Sequence, residues 1–283
     1  MSVFITGISG QLGFDVAKVL KERGIDYKGV SSKELDITDA TAVDAMLTAY
    51  NPDAVIHCAA WTKVDLAEDE PGKCWAVNVD GTRNIAASCR KLGCKMLYIS
   101  TDYVFPGDGT EPYRPKDDAN PKSVYGASKY AGELAVKSML EKYFIVRISW
   151  VFGINGNNFV KTMLRLAETR SELNVVSDQI GSPTYTADLA PLLCDMVKTE
   201  KYGIYHATNE GFCSWAEFAS EIFHLAGKSV TVHPIPTSSY PTRAVRPLNS
   251  RMSKEKLTAS GFSLLPPWQN ALLEYLKESG VLI

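Results

Sequence analysis

An α/β fold built on a doubly wound parallel sheet is what this 283-residue chain predicts, on three observations. Short apolar runs alternate with helical segments through the first half, the pattern of βαβ units. A glycine triplet, Gly7-Ile8-Ser9-Gly10-Gln11-Leu12-Gly13, falls between the first run and the first helix. After about residue 150 the alternation gives way to shorter, proline-bearing stretches such as Gln179–Pro183 and Pro234–Pro247. The expectation is a Rossmann-like domain over 1–150 and a smaller, mainly substrate-binding C-terminal lobe over 151–283, with some segments returning to the sheet.

Taken in order, Ser2–Thr6 reads as a short apolar strand and Gly7–Gly13 as a loop. Phe14–Arg23 is a helix with Val16 and Leu20 inward, and Tyr27–Val30 is the second strand. Ala40–Tyr50 is a helix that Asn51-Pro52 stops. Ala54–Cys58 is a buried strand, Gly72–Leu92 one long helix and Met96–Ser100 a further strand. Val124–Lys142 is a helix and Phe144–Ser149 a strand. In the second part, Asn158–Ala167, Trp215–Leu225 and Trp268–Lys277 are helical, while Val175–Val176 and Gly203–His206 look like strands that extend the sheet. No internal repeat and no low-complexity segment interrupts the pattern.

Bulk properties narrow the function classes. The chain is 45% hydrophobic and 22% charged, with a formal net charge of −2. No basic excess points to nucleic acid or an anionic membrane. No apolar run is long enough to span a bilayer, and the start of the chain does not read as a signal peptide. The six cysteines form no CxxC pair and the four histidines do not cluster with them. The expectation is therefore reduced, mostly buried thiols in the cytoplasm and no metal site. His57, between Ile56 and Cys58, reads as an interior residue with its polar atoms satisfied.

The glycine loop carries the first chemistry. Gly7, Gly10 and Gly13 allow a tight turn and close backbone approach to a diphosphate resting on the N-terminus of the following helix. At the end of the second strand, Ser31, Ser32 and Lys33 offer two hydroxyls and an ammonium to a 2′-phosphate, favouring NADPH. Glu34, beside them, suits a ribose 2′-hydroxyl and keeps NADH open. Asp36 and Ile37 follow, either under the adenine or as a plain helix approach.

Tyr125-Gly126-Ala127-Ser128-Lys129 carries the second. Residues four apart lie on one helix face, so a phenol and an ammonium meet at one spot. An ammonium there favours the phenolate and lowers the Tyr125 pKa, which suits Tyr125 to proton transfer. Ser100-Thr101-Asp102 ends the strand before it. Thr101, at the carboxyl end of a parallel strand, faces the ligand crevice and can bond a substrate carbonyl. Its bland alternative is a hydroxyl capping its own backbone.

With these residues in view, the chain resembles an extended short-chain dehydrogenase/reductase. The match lies in GxxGxxG, Ala59-Ala60, Asn78, Ser100-Thr101 and Tyr125…Lys129. Further stretches are similar to the dTDP-4-dehydrorhamnose reductase family: Trp61–Glu68, Ser100–Phe105, Ser149–Phe152, Gly156–Phe159, Lys161–Ala167, Asp178–Thr184 and Arg246–Ser250. The resemblance implies NADPH, with NADH open, as cofactor and a dTDP-sugar as substrate. It implies diphosphate contacts from Gly7, Gly10, Gln11, Leu12 and Gly13, and adenine contacts from Asp36 and Ile37. Ala59, Ala60, Trp61, Thr62 and Asn78 would serve the cofactor too. Thr101, Tyr125 and Lys129 would be catalytic, the last two also touching the cofactor. Thr101, Asp102, Trp150, Asn158 and Arg246 would meet the sugar nucleotide, Arg246 its diphosphate. The implied reaction is NAD(P)H-dependent reduction of the C4 ketone of dTDP-4-dehydro-L-rhamnose to dTDP-L-rhamnose, a precursor of cell-surface polysaccharide.

Some members of that family dimerise around magnesium held by acidic side chains. Asp15 keeps an acid here, but Ala187 stands where the second is expected, with Asp188 one place later. That shift moves the acid to another helix face, which argues against a metal-linked dimer and leaves a monomer or homodimer. Two alternatives stay open. One is another nucleotide-sugar reductase or epimerase of the superfamily. The other is a non-catalytic regulatory subunit resembling that of methionine adenosyltransferase.

Overall fold

The computed structural model describes residues 1–282. Four βα steps and a fifth strand build the first half, beginning with β1 (Ser2–Thr6), α1 (Gln11–Glu22), β2 (Asp26–Val30), α2 (Ala40–Tyr50) and β3 (Ala54–His57). Then come α3 (Val64–Asp69), α4 (Pro71–Trp75), α5 (Thr82–Leu92), β4 (Lys95–Thr101), α6 (Val124–Met139) and β5 (Tyr143–Ile148). The second half runs β6 (Val151–Phe152), α7 (Phe159–Leu166), β7 (Glu172–Val176), β8 (Ile180–Gly181), β9 (Thr184–Tyr185) and α8 (Thr186–Met196). It continues with β10 (Gly203–His206), β11 (Cys213–Ser214), α9 (Trp215–Leu225), β12 (Thr231–Ile235), α10 (Glu255–Ala259) and α11 (Trp268–Glu278).

Six strands form one parallel sheet in the order β10-β5-β4-β3-β1-β2. Strand order reverses between β1 and β3, which opens a crevice at the carboxyl ends of the strands. The apolar runs of β1, β3, β4 and β5 are covered on both faces, as a parallel sheet requires. On one face α1 and α8 bury Val16, Leu20, Leu189 and Leu193 against Val3, Ile5 and Val146. On the other, α2, α5 and α6 bury Leu47, Ile85 and Val136 against Phe4, Val55 and Met96. A separate core joins α7, α9 and α11 through Phe218, Phe223, Leu272 and Tyr275.

Gly203–His206 extends the sheet beside β5, as its sequence suggests. Val175–Val176 does not. It lies in β7, which pairs with β12 as a two-stranded ribbon. The Leu173 and Val175 side chains join the core of the second half, which holds β7 away from the main sheet. The expected helix over Gly72–Leu92 is continuous, but not α-helical throughout. Between α4 and α5 the residues Ala76–Gly81 are wound as a π-helix, a form that concentrates at functional sites.

Among the described residues no helix is long and apolar enough to cross a membrane. All six cysteines are free.

Candidate active site

A cleft of about 630 Å³ opens at the carboxyl ends of β1, β3, β4 and β5. Its floor at one end is the glycine loop. Gly7 turns at φ +72°, and a Cβ on Gly13 would lie 2.3 Å from the Gly7 carbonyl oxygen. Only glycines let the chain fold back this tightly into α1. Gly10 is the N-cap of α1, and no side chain caps the helix. The first N–H groups of α1 are thus left to a ligand, and the helix dipole favours an anion there.

At the other end stand Thr101, Tyr125 and Lys129, all lining the cleft. The start of α6 is fixed twice. Ser123 Oγ accepts from the Gly126 N–H at 3.1 Å, and Glu68 Oε1 from the Val124 N–H at 2.9 Å. Tyr125 therefore sits in the first turn and Lys129 one turn later, on the same inward face. Both are buried in the wall, 9% and 3% exposed.

The electrostatics differ from expectation. Burial pushes the Tyr125 phenol well above its ordinary pKa, with the Thr101 hydroxyl opposing and Asp102 adding to the rise. Burial also acts on the Lys129 ammonium and brings its pKa down to about 7, against the raising influence of Glu133. Desolvation is the largest cause of both shifts. Asp102, 3% exposed, is pushed up to about 6 by burial, against hydrogen bonds from Ser250 and Thr101. Thr101 Oγ1 donates to Asp102 Oδ1 at 2.8 Å, and Ser250 Oγ donates to Oδ2 at 2.5 Å.

The other expected residues divide by position. Gly7, Gly10, Gln11, Leu12, Gly13, Ser31, Ser32, Asp36, Ile37, Ala59, Ala60, Thr62, Asp102 and Trp150 all line the cleft. Lys33, Trp61, Asn78, Asn158 and Arg246 do not. Asn78, buried in the π-helical turn, accepts from the Trp61 N–H at 2.8 Å and donates to the Trp61 carbonyl and to Ser128. It holds the loop after β3 in place rather than facing it. Asn158 caps α7 and donates to Gln11 Oε1 at 3.1 Å, tying the glycine loop to the second half. Arg246 donates to the Tyr103 hydroxyl at 2.9 Å and is ion-paired with Asp65. Asp65 and Glu68 are thus structural partners: Asp65 also accepts from the Ala244 N–H, and Glu68 from the Val124 N–H.

Several features were invisible in the sequence. Trp150 holds φ +50°, rare for a bulky residue. Its indole stacks on Trp215 with centroids 3.7 Å apart. Glu34, already named from the sequence, accepts from both the N–H (2.6 Å) and hydroxyl (2.5 Å) of Ser31, which lines the cleft. Of the residues considered for metal-linked dimerisation, Asp15 accepts from Thr186 and Asp188 from Asn209. His57 is buried between the hydroxyls of Thr6 and Thr82, as expected of an interior residue.

Residues 1–281 match the family described as RmlD substrate binding domain. The dTDP-4-dehydrorhamnose reductase of Streptomyces griseus is 42% identical over 277 residues, covering 95% of this chain and 91% of the relative. The spore coat polysaccharide biosynthesis protein SpsK of Bacillus subtilis is 41% identical over 276 residues, covering 98% and 97%. The crystal structure of dTDP-4-dehydrorhamnose reductase from Bacillus anthracis in complex with NADP superposes with a TM-score of 0.96 at 45% identity, covering 98% and 99%.

Proposed function

The chain belongs to the RmlD substrate binding domain family, and from that premise we propose that it reduces the C4 ketone of dTDP-4-dehydro-L-rhamnose to dTDP-L-rhamnose. NADPH is the reductant and NADH an accepted substitute. The observation that carries this reading is one cleft with an uncapped helix N-terminus and glycine cradle at one end and Thr101, Tyr125 and Lys129 at the other. That is the spacing of tasks a dinucleotide reductase needs.

The residues fit a dinucleotide. Gly7, Gly10 and Gly13 leave room that any Cβ would fill, and the free N–H groups of α1 suit a diphosphate. Gln11 and Leu12 follow in that first turn. Ser31 and Ser32 would serve the adenosine ribose, with Asp36 and Ile37 beyond them and the Lys33 ammonium just outside the lining. Ala59, Ala60 and Thr62 flank the opposite wall, which Asn78 fixes through Trp61. Bound reduced nicotinamide supplies the hydride.

This chain's residues handle the oxygen. Tyr125 holds the phenolic proton that the substrate oxygen takes as C4 is reduced. Burial keeps the phenol protonated until then, so Tyr125 enters the reaction as an acid. Lys129 offsets the negative charge left on Tyr125 and donates to the ribose hydroxyls. Thr101 donates to the same substrate oxygen once its hydroxyl turns from Asp102, and the two donors stabilise the developing alkoxide. Trp150 offers an indole face to the sugar nucleotide. Arg246 offers a forked guanidinium to its diphosphate in exchange for Asp65, and Asn158 supports the lobe that carries them.

A dTDP-sugar is the substrate and no nucleic acid or membrane is required. Six free cysteines fit a reducing compartment, the cytoplasm, and we expect a monomer or homodimer. Deuterated NADPH tests the reaction. Deuterium at C4 of the product supports it, and an unlabelled C4 in converted sugar excludes hydride delivery to that carbon.

A further inference from the structure

Lys129 has an unusual environment for a buried ammonium. Among the described residues its Nζ has no hydrogen-bond acceptor and no ion-pair partner, and it lies 4.1 Å from the centroid of the Tyr98 ring. Every titratable group around it is otherwise engaged or uncharged. Glu133, one turn further along α6, forms a bidentate pair with Arg147 of β5 at 2.8 and 2.7 Å and also accepts from Ser100. His57 of β3 is held neutral by burial, its pKa brought down to about 3. Burial pushes Cys58, after β3, up to about 12 and raises Cys74 of α4 and Tyr125 of α6. Asp102, after β4, shares its oxygens with Thr101 and Ser250.

The ring itself is locked. Tyr98 is fully buried on β4 and stacks on the His57 imidazole at 5.7 Å. Its hydroxyl donates to the Lys129 main-chain carbonyl at 3.2 Å. Gly132 makes room for it, since a Cβ there would come within 2.4 Å of the Tyr98 hydroxyl oxygen. The face of an aromatic ring carries negative charge and attracts a desolvated cation.

We propose that Tyr98 is a positioning residue of the reductase: its ring face holds the Lys129 ammonium in the cleft wall, aimed at the cofactor ribose and Tyr125. The proposal rests on the reductase reading for its consequence, not for its geometry. A lysine so buried loses its proton readily; Glu133 opposes this from a distance while paired with Arg147, and the ring opposes it in direct contact without taking a donor from the ribose hydroxyls. Tyr98 also fixes the main chain of Lys129 through its hydroxyl, so one side chain sets both ends of the lysine.

The test is a series at position 98 read by pH dependence. Tyr98→Phe keeps the ring and removes the hydroxyl, while Tyr98→Leu removes the ring. Site-specific mono-, di- and pentafluorophenylalanine keep the ring's shape while draining charge from its face, so the series stays informative should Tyr98→Leu not fold. Two curves are recorded for each, the Kd of NADPH and kcat/KM of the reductase reaction. The expected result is an alkaline limb that stays with wild type in Tyr98→Phe and moves to lower pH stepwise with fluorination. In Tyr98→Leu it moves by about one pH unit. A flat series overturns the proposal, and so does Tyr98→Phe moving as far as Tyr98→Leu. The NADPH curve separates this from the reductase reading: tight NADPH binding without sugar reduction sinks the latter, while the shift in Kd still decides the role of Tyr98.

Discussion

Thr101 donates a hydrogen bond from its hydroxyl to Asp102 Oδ1, 2.8 Å away, and Asp102 is itself buried and bonded to Ser250 across the two halves of the chain. The threonine expected to meet a substrate carbonyl is therefore held by a carboxylate whose charge is costly to keep. Asp102 is 3% exposed, and its pKa is pushed up to about 6.

This makes a prediction about pH and stability. A carboxyl with a raised folded pKa binds more protons folded than unfolded between about pH 4 and pH 6. Its contribution to stability is fully present below about pH 4 and is lost as pH rises through about 6. Asp102→Asn lacks that titration. The Tm of wild type minus that of Asp102→Asn should fall as pH rises across this window. A constant difference contradicts the buried, ionisable Asp102.

Tyr125→Phe removes the proton that the substrate oxygen takes. Turnover should fall by about 10²–10⁴-fold, the usual worth of a positioned acid, while the Kd for NADPH stays within a few-fold. Steady-state rates and a fluorescence titration of NADPH check both halves. Wild-type turnover in this variant removes Tyr125 from the acid role.

Glu133 and Arg147 form a fully buried pair between α6 and β5. Glu133→Ala leaves Arg147 charged and unpaired, which should cost roughly 3–5 kcal/mol in denaturant unfolding. Replacing both by apolar residues of similar volume should recover much of the loss. An equal loss in single and double variants would mean that packing, not charge, sets the cost.

Glu34 bears on cofactor choice. Its carboxylate is held below its ordinary pKa by bonds from Ser31, so it stays charged where a 2′-phosphate would lie. Glu34→Gln should shift the ratio of kcat/KM for NADPH over NADH several-fold toward NADPH. An unchanged ratio places Glu34 away from the 2′ position.

Much of the site is legible in local spacing. GxxGxxG after an apolar run places a phosphate cradle, and a tyrosine and lysine four apart share a helix face whatever surrounds them. What is not legible depends on contacts distant in sequence. Nothing near Tyr98 in the chain announces Lys129, because the two meet only when β4 packs under α6. Arg246 reads as a free guanidinium until the fold brings it to Asp65 and Tyr103. The expected lowering of the Tyr125 pKa failed for a related reason: the spacing fixes the neighbour but not the depth of burial, and burial decides. The π-helical turn at Ala76–Gly81 lies inside a continuous helical run and is marked by the pull of Asn78 toward Trp61 and Ser128, contacts distant in sequence.

The most direct test mixes the purified protein with NADPH and dTDP-4-dehydro-L-rhamnose and follows the absorbance of reduced nicotinamide. The account predicts sugar-dependent loss, one NADPH for each dTDP-L-rhamnose formed. Sugar conversion without net consumption of NADPH would indicate an epimerase that recycles its cofactor, and would contradict the reductase reading.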